Sequence, residues 1–165
     1  MSSGFKKKIS IVSPCFNEED NVRTCYETVR DLFAKELPDY ECEHIFADNC
    51  SRDRTVAILR EIAAKDPSVK VVVNSRNFGV FRSTFNALRY ATGDATLVMM
   101  PVDLQDPPEL IPELISRWQR DPEVEVVYTT RMSRAGEHPL KMFITKWGYR
   151  FINKVSEIEI PVDSG

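Results

Sequence analysis

Short apolar runs alternate with longer amphipathic stretches along most of the chain. Runs of strand length occur near residues 8–13, 43–48, 69–73, 95–102 and 124–130. Between them apolar side chains recur every three or four residues, which predicts helices over about 19–35, 51–63, 80–91 and 106–118. This alternation predicts an α/β fold, in which a mostly parallel sheet carries helices on both faces.

Polar or ligand-binding residue types collect directly after four of the predicted strands. They are Pro14, Phe16 and Glu18 after the first strand, Asp48 at the end of the second, Asn77, Gly79 and Arg82 after the third, and Asp103 and Gln105 after the fourth. The carboxyl ends of parallel strands share one edge of a sheet, and ligands bind at that edge. Ordinary turns and helix caps would explain some of these residues, but not a carboxylate at the ends of both the second and the fourth strand.

The segment VDLQDPPE, residues 102–109, places oxygen ligands where an apolar strand ends. The Asp103 carboxylate and the Gln105 amide oxygen suit a hard divalent cation, and such a cation usually accompanies phosphate groups. Asp106 is predicted to cap the next helix, with Pro107 at its first position, and Ser51 to cap the second helix. The segment makes a nucleotide the first ligand to consider.

Composition narrows the class of protein. The 165 residues are enough for one compact domain, and a net charge of -3 gives no reason to expect a nucleic-acid partner. The four cysteines form no CxxC pair, so reduced cytosolic thiols are a better interpretation than zinc ligands. The N-terminus lacks the apolar run of a signal peptide, and no stretch approaches the ~20 apolar residues of a membrane span. A cytoplasmic location is therefore expected.

Taken together, four segments resemble the nucleotide-sugar half of a GT-A glycosyltransferase of family 2. They are PCFNE at 14–18, DNCSRDRT at 48–55, RNFG at 76–79 and DLQDPPE at 103–109. Within that family the sequence is most similar to the polyprenyl-phosphate sugar transferases, such as dolichol-phosphate mannose synthase. The resemblance covers nearly all of residues 8–165. It implies a Rossmann-like GT-A fold and a single catalytic domain over residues 1–165.

The resemblance also implies an activity. It implies an inverting transfer of a sugar from a UDP- or GDP-sugar donor to an acceptor, either a polyprenyl phosphate or a cell-surface glycan. Asp103 would be the catalytic residue and, with Gln105, would hold Mg²⁺ or Mn²⁺ against the diphosphate. The implied nucleotide-binding residues are Pro14, Phe16, Glu18, Asp48, Asn77, Gly79, Arg82 and Asp103. Ser51, Asp53 and Thr55 are implied to shape a turn instead of contacting the ligand.

Two positions depart from the pattern of the family. Pro101 and Asn49 stand where the family usually has acidic residues, and both changes weaken the expected metal and ribose contacts. A non-catalytic nucleotide-binding or membrane-docking module therefore remains an alternative. A nucleotidyltransferase is a second alternative, but such enzymes usually carry a glycine-rich basic loop after the first strand, where this chain has PCFNE.

Residues 140–155 combine an apolar, aromatic face with a basic row of Lys146, Arg150 and Lys154. Two interpretations stay open: a core helix with a solvated basic face, or a helix that lies on the inner face of the membrane near a lipid-phosphate acceptor. Past residue 165 the family continues with an acceptor-side segment and often with transmembrane helices. The resemblance therefore implies a truncated catalytic domain, whose oligomeric state the sequence does not predict.

Overall fold

A computed structural model of the protein describes residues 6–98 and 100–129. Its strands are β1 (Lys7–Cys15), β2 (Tyr40–Asp48), β3 (Val69–Val73) and β4 (Ala95–Val98). Its helices are α1 (Val22–Glu36), α2 (Thr55–Ala63), α3 (Val80–Leu88) and α4 (Ile111–Arg120), the last preceded by a 3₁₀ turn at Pro108–Leu110. All strand pairs are parallel, in the order β3-β2-β1-β4, which confirms the predicted α/β fold.

The strand order reverses at β1, and this reversal decides which face each helix covers. The steps from β1 to β2 and from β2 to β3 run in one direction, and the step from β3 to β4 returns to the other side of β1. Because such crossovers are right-handed, α3 covers the face opposite to α1 and α2. Ala87 of α3 accordingly packs with Val12 and Ile45. The cleft of such a sheet lies at the carboxyl ends of the two strands that flank the reversal, β1 and β4.

The two central strands, β1 and β2, are buried on both faces because helices cover both faces. Ile11, Val12, Ile45 and Phe46 have no exposed surface, and burial stabilises the fold by roughly 2 kcal/mol for each such side chain. The buried face of α1 is the predicted one: Val22, Cys25, Val29, Leu32 and Phe33. The helix begins at Val22 instead of Glu19, because residues 19–21 form a turn.

Two predictions about strands are wrong. Residues 124–129 form no strand, and Val126 there is 75% exposed. A strand is stabilised by pairing with a neighbour and by burying one face, and this segment does neither. The fourth strand ends at Val98 instead of Val102. The Met100 N–H still donates to the Val12 carbonyl at 3.0 Å, but Pro101 has no N–H with which to continue the ladder.

The two predicted helix caps are also wrong. The 3₁₀ turn before α4 begins with Pro107 in the cap position and Pro108 first inside, and no side chain caps it, so Asp106 has no such role. Arg54, not Ser51, occupies the cap position of α2. The Ser51 hydroxyl instead accepts a hydrogen bond from the Asn17 N–H at 2.9 Å. A residue type that favours caps is therefore used here to join two loops.

Gly93 allows β4 to approach β1, and a side chain there should destabilise the fold. A Cβ at this position would lie 2.7 Å from the Ser10 nitrogen and 2.8 Å from the Lys8 carbonyl oxygen. We expect Gly93→Ala to lower the free energy of unfolding in urea by about 1–3 kcal/mol, because the backbone must shift. Gly79→Ala is the comparison: its Cβ meets no atom within 4 Å, and only its φ of 84° opposes the change. A Gly93→Ala protein as stable as the wild type would contradict this close contact.

The chain divides into two compact units, Met1–Glu113 and Leu114–Gly165. The first contains the whole sheet, helices α1 to α3 and every candidate site residue, and the second is described only as far as residue 129. The single domain over 1–165 stays a prediction, and the predicted helix at 140–155 lies outside the described residues. None of the helices described here has the length and apolar character required to cross a bilayer.

Candidate functional site

The loops that follow β1 and β2 are joined by hydrogen bonds from backbone to side chain. Three consecutive N–H groups of the first loop donate to three side chains of the second, at 2.8–3.1 Å. The pairs are Asn17 with Ser51, Glu18 with Thr55, and Glu19 with Asp53. Because a buried or half-buried N–H needs an acceptor, these bonds fix the shape of the first loop. The three side chains therefore shape the turns at this edge of the sheet.

In two further hydrogen bonds the backbone of the second loop donates to side chains of the first loop. The Asn17 side-chain oxygen accepts from the Arg52 N–H at 2.8 Å, and the Glu19 carboxylate accepts from the Arg54 N–H at 3.0 Å. Asn17 has a φ of 56°, a left-handed conformation that asparagine tolerates. Burial raises the pKa of Asp53, but hydrogen bonds from Thr55 and Glu19 outweigh it and hold that pKa below its usual range. The paired loops are thus built before any ligand arrives.

Asp48 ends β2 at this edge and has no exposed surface. Its Oδ2 atom accepts from the N–H groups of Cys50 and Ser51, both at 3.1 Å. Its Oδ1 atom is buried without a hydrogen-bond partner. A buried carboxylate oxygen without a donor is energetically unfavourable, and native structures seldom leave one unpaired. An N–H or O–H group placed against Oδ1 would satisfy this atom.

The Asp48 carboxylate also affects the thiol beside it. Cys15 pairs with Asp48 in the register of β1 and β2. Burial, and after it the negative charges of Asp48 and Glu18, raise the pKa of Cys15 well above its ordinary value. The thiol therefore stays protonated at physiological pH and is a poor nucleophile. Covalent chemistry at this cysteine is excluded from the candidate mechanism.

Asn49 connects the loop after β2 to the loop after β3. Its amide NH₂ donates to the Asn77 side-chain oxygen, and its own oxygen accepts from the Phe78 N–H, both at 2.9 Å. The Asn77 oxygen also accepts from the Gly79 N–H at 2.9 Å, just before α3 begins. An aspartate at position 49 could accept from Phe78 but could not donate to Asn77. Asn49 departs from the acidic residue that is usual in the resembled family, and its role in joining the two loops was not predicted from the sequence.

The other predicted residues lie around the same edge of the sheet. Pro14 lies opposite Ala47 near the end of β1, and Phe16, 42% exposed, follows it. The Glu18 carboxylate is partly buried and accepts from the Asn21 amide at 2.7 Å. Gly79 and Arg82 are exposed at the start of α3. The structure thus brings the candidates from the first three strands to one edge, although the Asn77 oxygen serves the loop itself.

Asp103 lies in a turn beyond the end of β4. The Leu104 N–H closes this turn onto the Pro101 carbonyl at 3.2 Å, and Asp103 Oδ1 accepts from the Gln105 N–H at 3.1 Å. Asp103 and Gln105 are both exposed. Asp48 is the last residue of β2, and Asp103 lies five residues past the end of β4. Since β2 and β4 flank β1 in a parallel sheet, the ends of those two strands are about 10 Å apart. The two carboxylates therefore belong to the same edge, on either side of the cleft that the strand order creates.

Comparison with known proteins identifies the family. The sequence model described as Glycosyl transferase family 2 matches residues 10–165. The chain belongs to glycosyl transferase family 2. The curated relatives of this family 2 chain include the prophage bactoprenol glucosyl transferase homolog of Escherichia coli K12, 40% identical over 96% of this chain and 50% of the relative. YkcC of Bacillus subtilis, an uncharacterized glycosyltransferase, is 38% identical over 94% of this chain and 47% of its own.

The family 2 chain thus spans about half the length of the curated relatives it matches. Among solved structures it is similar to the mannosyltransferase PcManGT of Pyrobaculum calidifontis in complex with GDP-Man and Mn²⁺. The TM-score is 0.59 at 20% identity, over 73% of this chain and 34% of that one. It is also similar to residues 1–349 of S. aureus TarS, with a TM-score of 0.50 at 24% identity, over 66% and 33% of the two chains. The predicted GT-A fold is confirmed.

A metal in this family 2 domain would need ligands that the substrate supplies. Among the residues described by the structure, no three His, Cys, Asp or Glu side chains are grouped so as to hold a metal ion. Asp103 provides one carboxylate, of which Oδ1 already accepts from Gln105. Mg²⁺ commonly binds through one or two carboxylates together with substrate phosphates and water. The exposed Asp103 and Gln105 side chains fit a cation held in that way, and do not form a complete protein site.

Proposed function

We propose that this chain is the donor-binding portion of an inverting glycosyltransferase. It would move a sugar from a UDP- or GDP-sugar to an acceptor, for which we favour a polyprenyl phosphate over a cell-surface glycan. Several relatives of 39–40% identity are named bactoprenol glucosyl transferases, which supports the lipid acceptor and a location at the cytoplasmic face of the membrane. The observation that carries the proposal is the buried, unpaired Asp48 oxygen at the ligand-binding edge of the sheet.

In this proposal Asp48 Oδ1 accepts a hydrogen bond from the base or the ribose of the donor. Pro14, Phe16 and Glu18 form the wall of that pocket, and Asn77 and Gly79 lie where the loop passes close to the nucleotide. The negative charge of a carboxylate at position 48 would repel phosphate, so the diphosphate would lie on the far side of β1, toward Asp103. Arg82, exposed in the first turn of α3, adds a positive charge at the same edge.

The chemistry requires a stabilised leaving group. A Mg²⁺ or Mn²⁺ ion, held by Asp103 and Gln105 together with the diphosphate, would neutralise the charge that develops on the leaving nucleotide. Direct attack of the acceptor on the anomeric carbon inverts its configuration. A lipid phosphate is already an anion at neutral pH and needs no general base, whereas a sugar hydroxyl would need one. The site as described therefore suits a phosphate acceptor best.

Calorimetry with UDP- and GDP-sugars, with and without Mn²⁺, tests the proposal. We expect one donor class to bind and ATP and NAD to show no heat. Asp103→Asn should weaken donor affinity about tenfold when Mn²⁺ is present, because it removes the charge facing the cation, and should change nothing without metal. Asp106→Asn, three residues along and also exposed, is the matched control.

Three results would count against the proposal. If no nucleotide sugar binds with or without Mn²⁺, the site is not a donor site. If Asp103→Asn and Asp106→Asn behave alike, the cation is not held by Asp103. Binding of the donor without any slow hydrolysis or transfer, in a protein of the length of the relatives, would favour the binding-only module over an enzyme.

A further inference from the structure

Helix α3 presents an unusual side to solvent. Its buried side is formed by small residues, Ser83, Thr84 and Ala87. The opposite side is formed by Phe81, Arg82, Phe85 and Arg89, all exposed, and we call these four residues the α3 face. Phe81 and Phe85 are 65% and 66% exposed, and Tyr90 just beyond the helix is 52% exposed. At 3.6 residues per turn, the four positions fall within an arc of about 100°.

The charge around α3 differs from that of the whole chain. Residues 67–93 contain no Asp or Glu, although the chain as a whole carries a net charge of -3. Of the four cations in this stretch, Lys70 pairs with Glu43 at 2.6 Å, and Arg76 lies over the ring of Phe78 at 4.7 Å. Arg82 and Arg89 are exposed on the α3 face itself. The α3 face is therefore locally positive and aromatic, although the protein as a whole is acidic.

We propose that the α3 face docks on an anionic lipid surface. Aromatic rings enter the headgroup boundary while neighbouring arginines meet lipid phosphates, and each basic residue contributes separately to the attraction. A second copy of the chain fits less well, because paired α3 faces would set arginine against arginine without an acidic partner on the helix. The charge of the face therefore favours lipid over self-association.

Docking through α3 would also orient the candidate site. The helix begins at Gly79, which is joined through Asn77 to the loop that holds Asp48. A bilayer in contact with the α3 face therefore lies beside the ligand-binding edge of the sheet. This consequence rests on the proposed function, since it matters only if the acceptor is a membrane lipid. The docking itself does not depend on the donor.

Vesicle sedimentation without nucleotide tests the docking. We expect the chain to bind vesicles of equal parts phosphatidylcholine and phosphatidylglycerol, to bind pure phosphatidylcholine weakly, and to dissociate as salt is raised. Arg82→Gln with Arg89→Gln should weaken binding about 30-fold at low salt, since each arginine contributes about fivefold. Phe81→Ser with Phe85→Ser should weaken it at least about tenfold, because two rings lose their apolar contact.

The control is a double variant of equal charge, Arg60→Gln with Lys65→Gln, at exposed positions on and just after α2, across the sheet. It should bind vesicles like the wild type, and all variants should keep the wild-type melting temperature. The proposal is overturned if the α3 variants bind vesicles as tightly as the wild type, which would point to residues 140–155 instead. It is equally overturned if the α2 control loses as much binding. A further outcome is a wild-type dimer that forms without lipid and that the Phe81→Ser and Phe85→Ser double variant does not form. That result would show that the α3 face binds a second copy of the chain and not lipid.

Failure of the docking and failure of the proposed function give different results. The Phe81→Ser and Phe85→Ser double variant should bind the donor with wild-type affinity, because neither ring belongs to the candidate nucleotide pocket. Vesicle binding without any nucleotide binding would remove the proposed function and leave the docking surface intact. Nucleotide binding without vesicle binding would remove the docking surface and leave the proposed function intact.

Discussion

Asp48→Asn should weaken the binding of the nucleotide donor by about 30- to 150-fold, or about 2–3 kcal/mol, and leave the fold intact. The asparagine oxygen can still accept from the N–H groups of Cys50 and Ser51, so the turn after β2 keeps its bonds. Its amide nitrogen then stands where the unpaired Oδ1 atom lies in the wild type. The substitution therefore replaces a hydrogen-bond acceptor by a donor. An N–H or O–H group of the base or the ribose that donates to Oδ1 in the wild type would lose its acceptor.

Calorimetry with the donor that binds the wild-type protein measures this loss. Asp53→Asn is the matched control on the same loop, because the Asp53 carboxylate contacts backbone N–H groups of Glu19 and Thr55 and is not expected to contact the ligand. That variant should lose some stability in urea and keep its donor affinity. Unchanged affinity in Asp48→Asn would show that the buried oxygen faces something other than the donor, and the observation that carries the proposed function would be lost.

The sheet and the edge that carries the site could be predicted from the sequence because both follow from repeated patterns. β1 and β2 each contain a short apolar stretch that is buried on both faces, which is typical of a strand covered by helices on both sides. Right-handed connections then place Asp48 and Asp103 at the same edge without any knowledge of side-chain contacts. The resemblance to family 2 used the same residues, and the comparisons confirmed the family and the fold.

The details of the site could not be predicted, because they depend on pairs of residues distant in sequence. Ser51 has the residue type of a helix cap, yet its acceptor role is set by the Asn17 N–H in another loop. Asn49 looked like the loss of an acidic residue, but the structure uses both ends of its amide to hold Asn77 and Phe78. Residues 124–129 had an apolar alternation without a neighbouring strand to pair with, and pairing is not a local property.

The polar network inside the sheet was also invisible in the sequence. Glu43 opens the apolar run of β2 and would be expected at the surface, but it is buried. Its carboxylate accepts hydrogen bonds from the Ser10 hydroxyl at 2.6 Å, from the Thr92 N–H at 2.9 Å and from the Thr92 hydroxyl at 2.7 Å. The Lys70 ammonium group lies 2.6 Å from it. One carboxylate thus joins three strands to the turn that leads into β4.

Glu43→Gln should lower the free energy of unfolding by about 3 kcal/mol at neutral pH, because it leaves Lys70 without its charge partner and replaces an acceptor by an amide that also donates. Burial alone raises the pKa of Glu43, but the bonds from Lys70, Ser10 and Thr92 outweigh it and lower that pKa from 4.5 to about 2. A carboxyl whose pKa is lower in the folded state stabilises the fold above its unfolded pKa. That contribution is lost as the pH falls from 4.5 toward about 2.

Urea unfolding of the wild type and of Glu43→Gln across this acid range should therefore give two curves that converge as the pH falls. Asp53 and Asp66 also have lowered pKa values, so both proteins lose stability in acid, and only the difference between them reports on Glu43. Glu41→Gln, an exposed change two residues earlier in β2, is the control and should follow the wild type throughout. A constant gap between wild type and Glu43→Gln at every pH would mean that Glu43 acts through its shape. In that case the charge of this carboxylate would not be what holds the turn before β4 against the centre of the sheet.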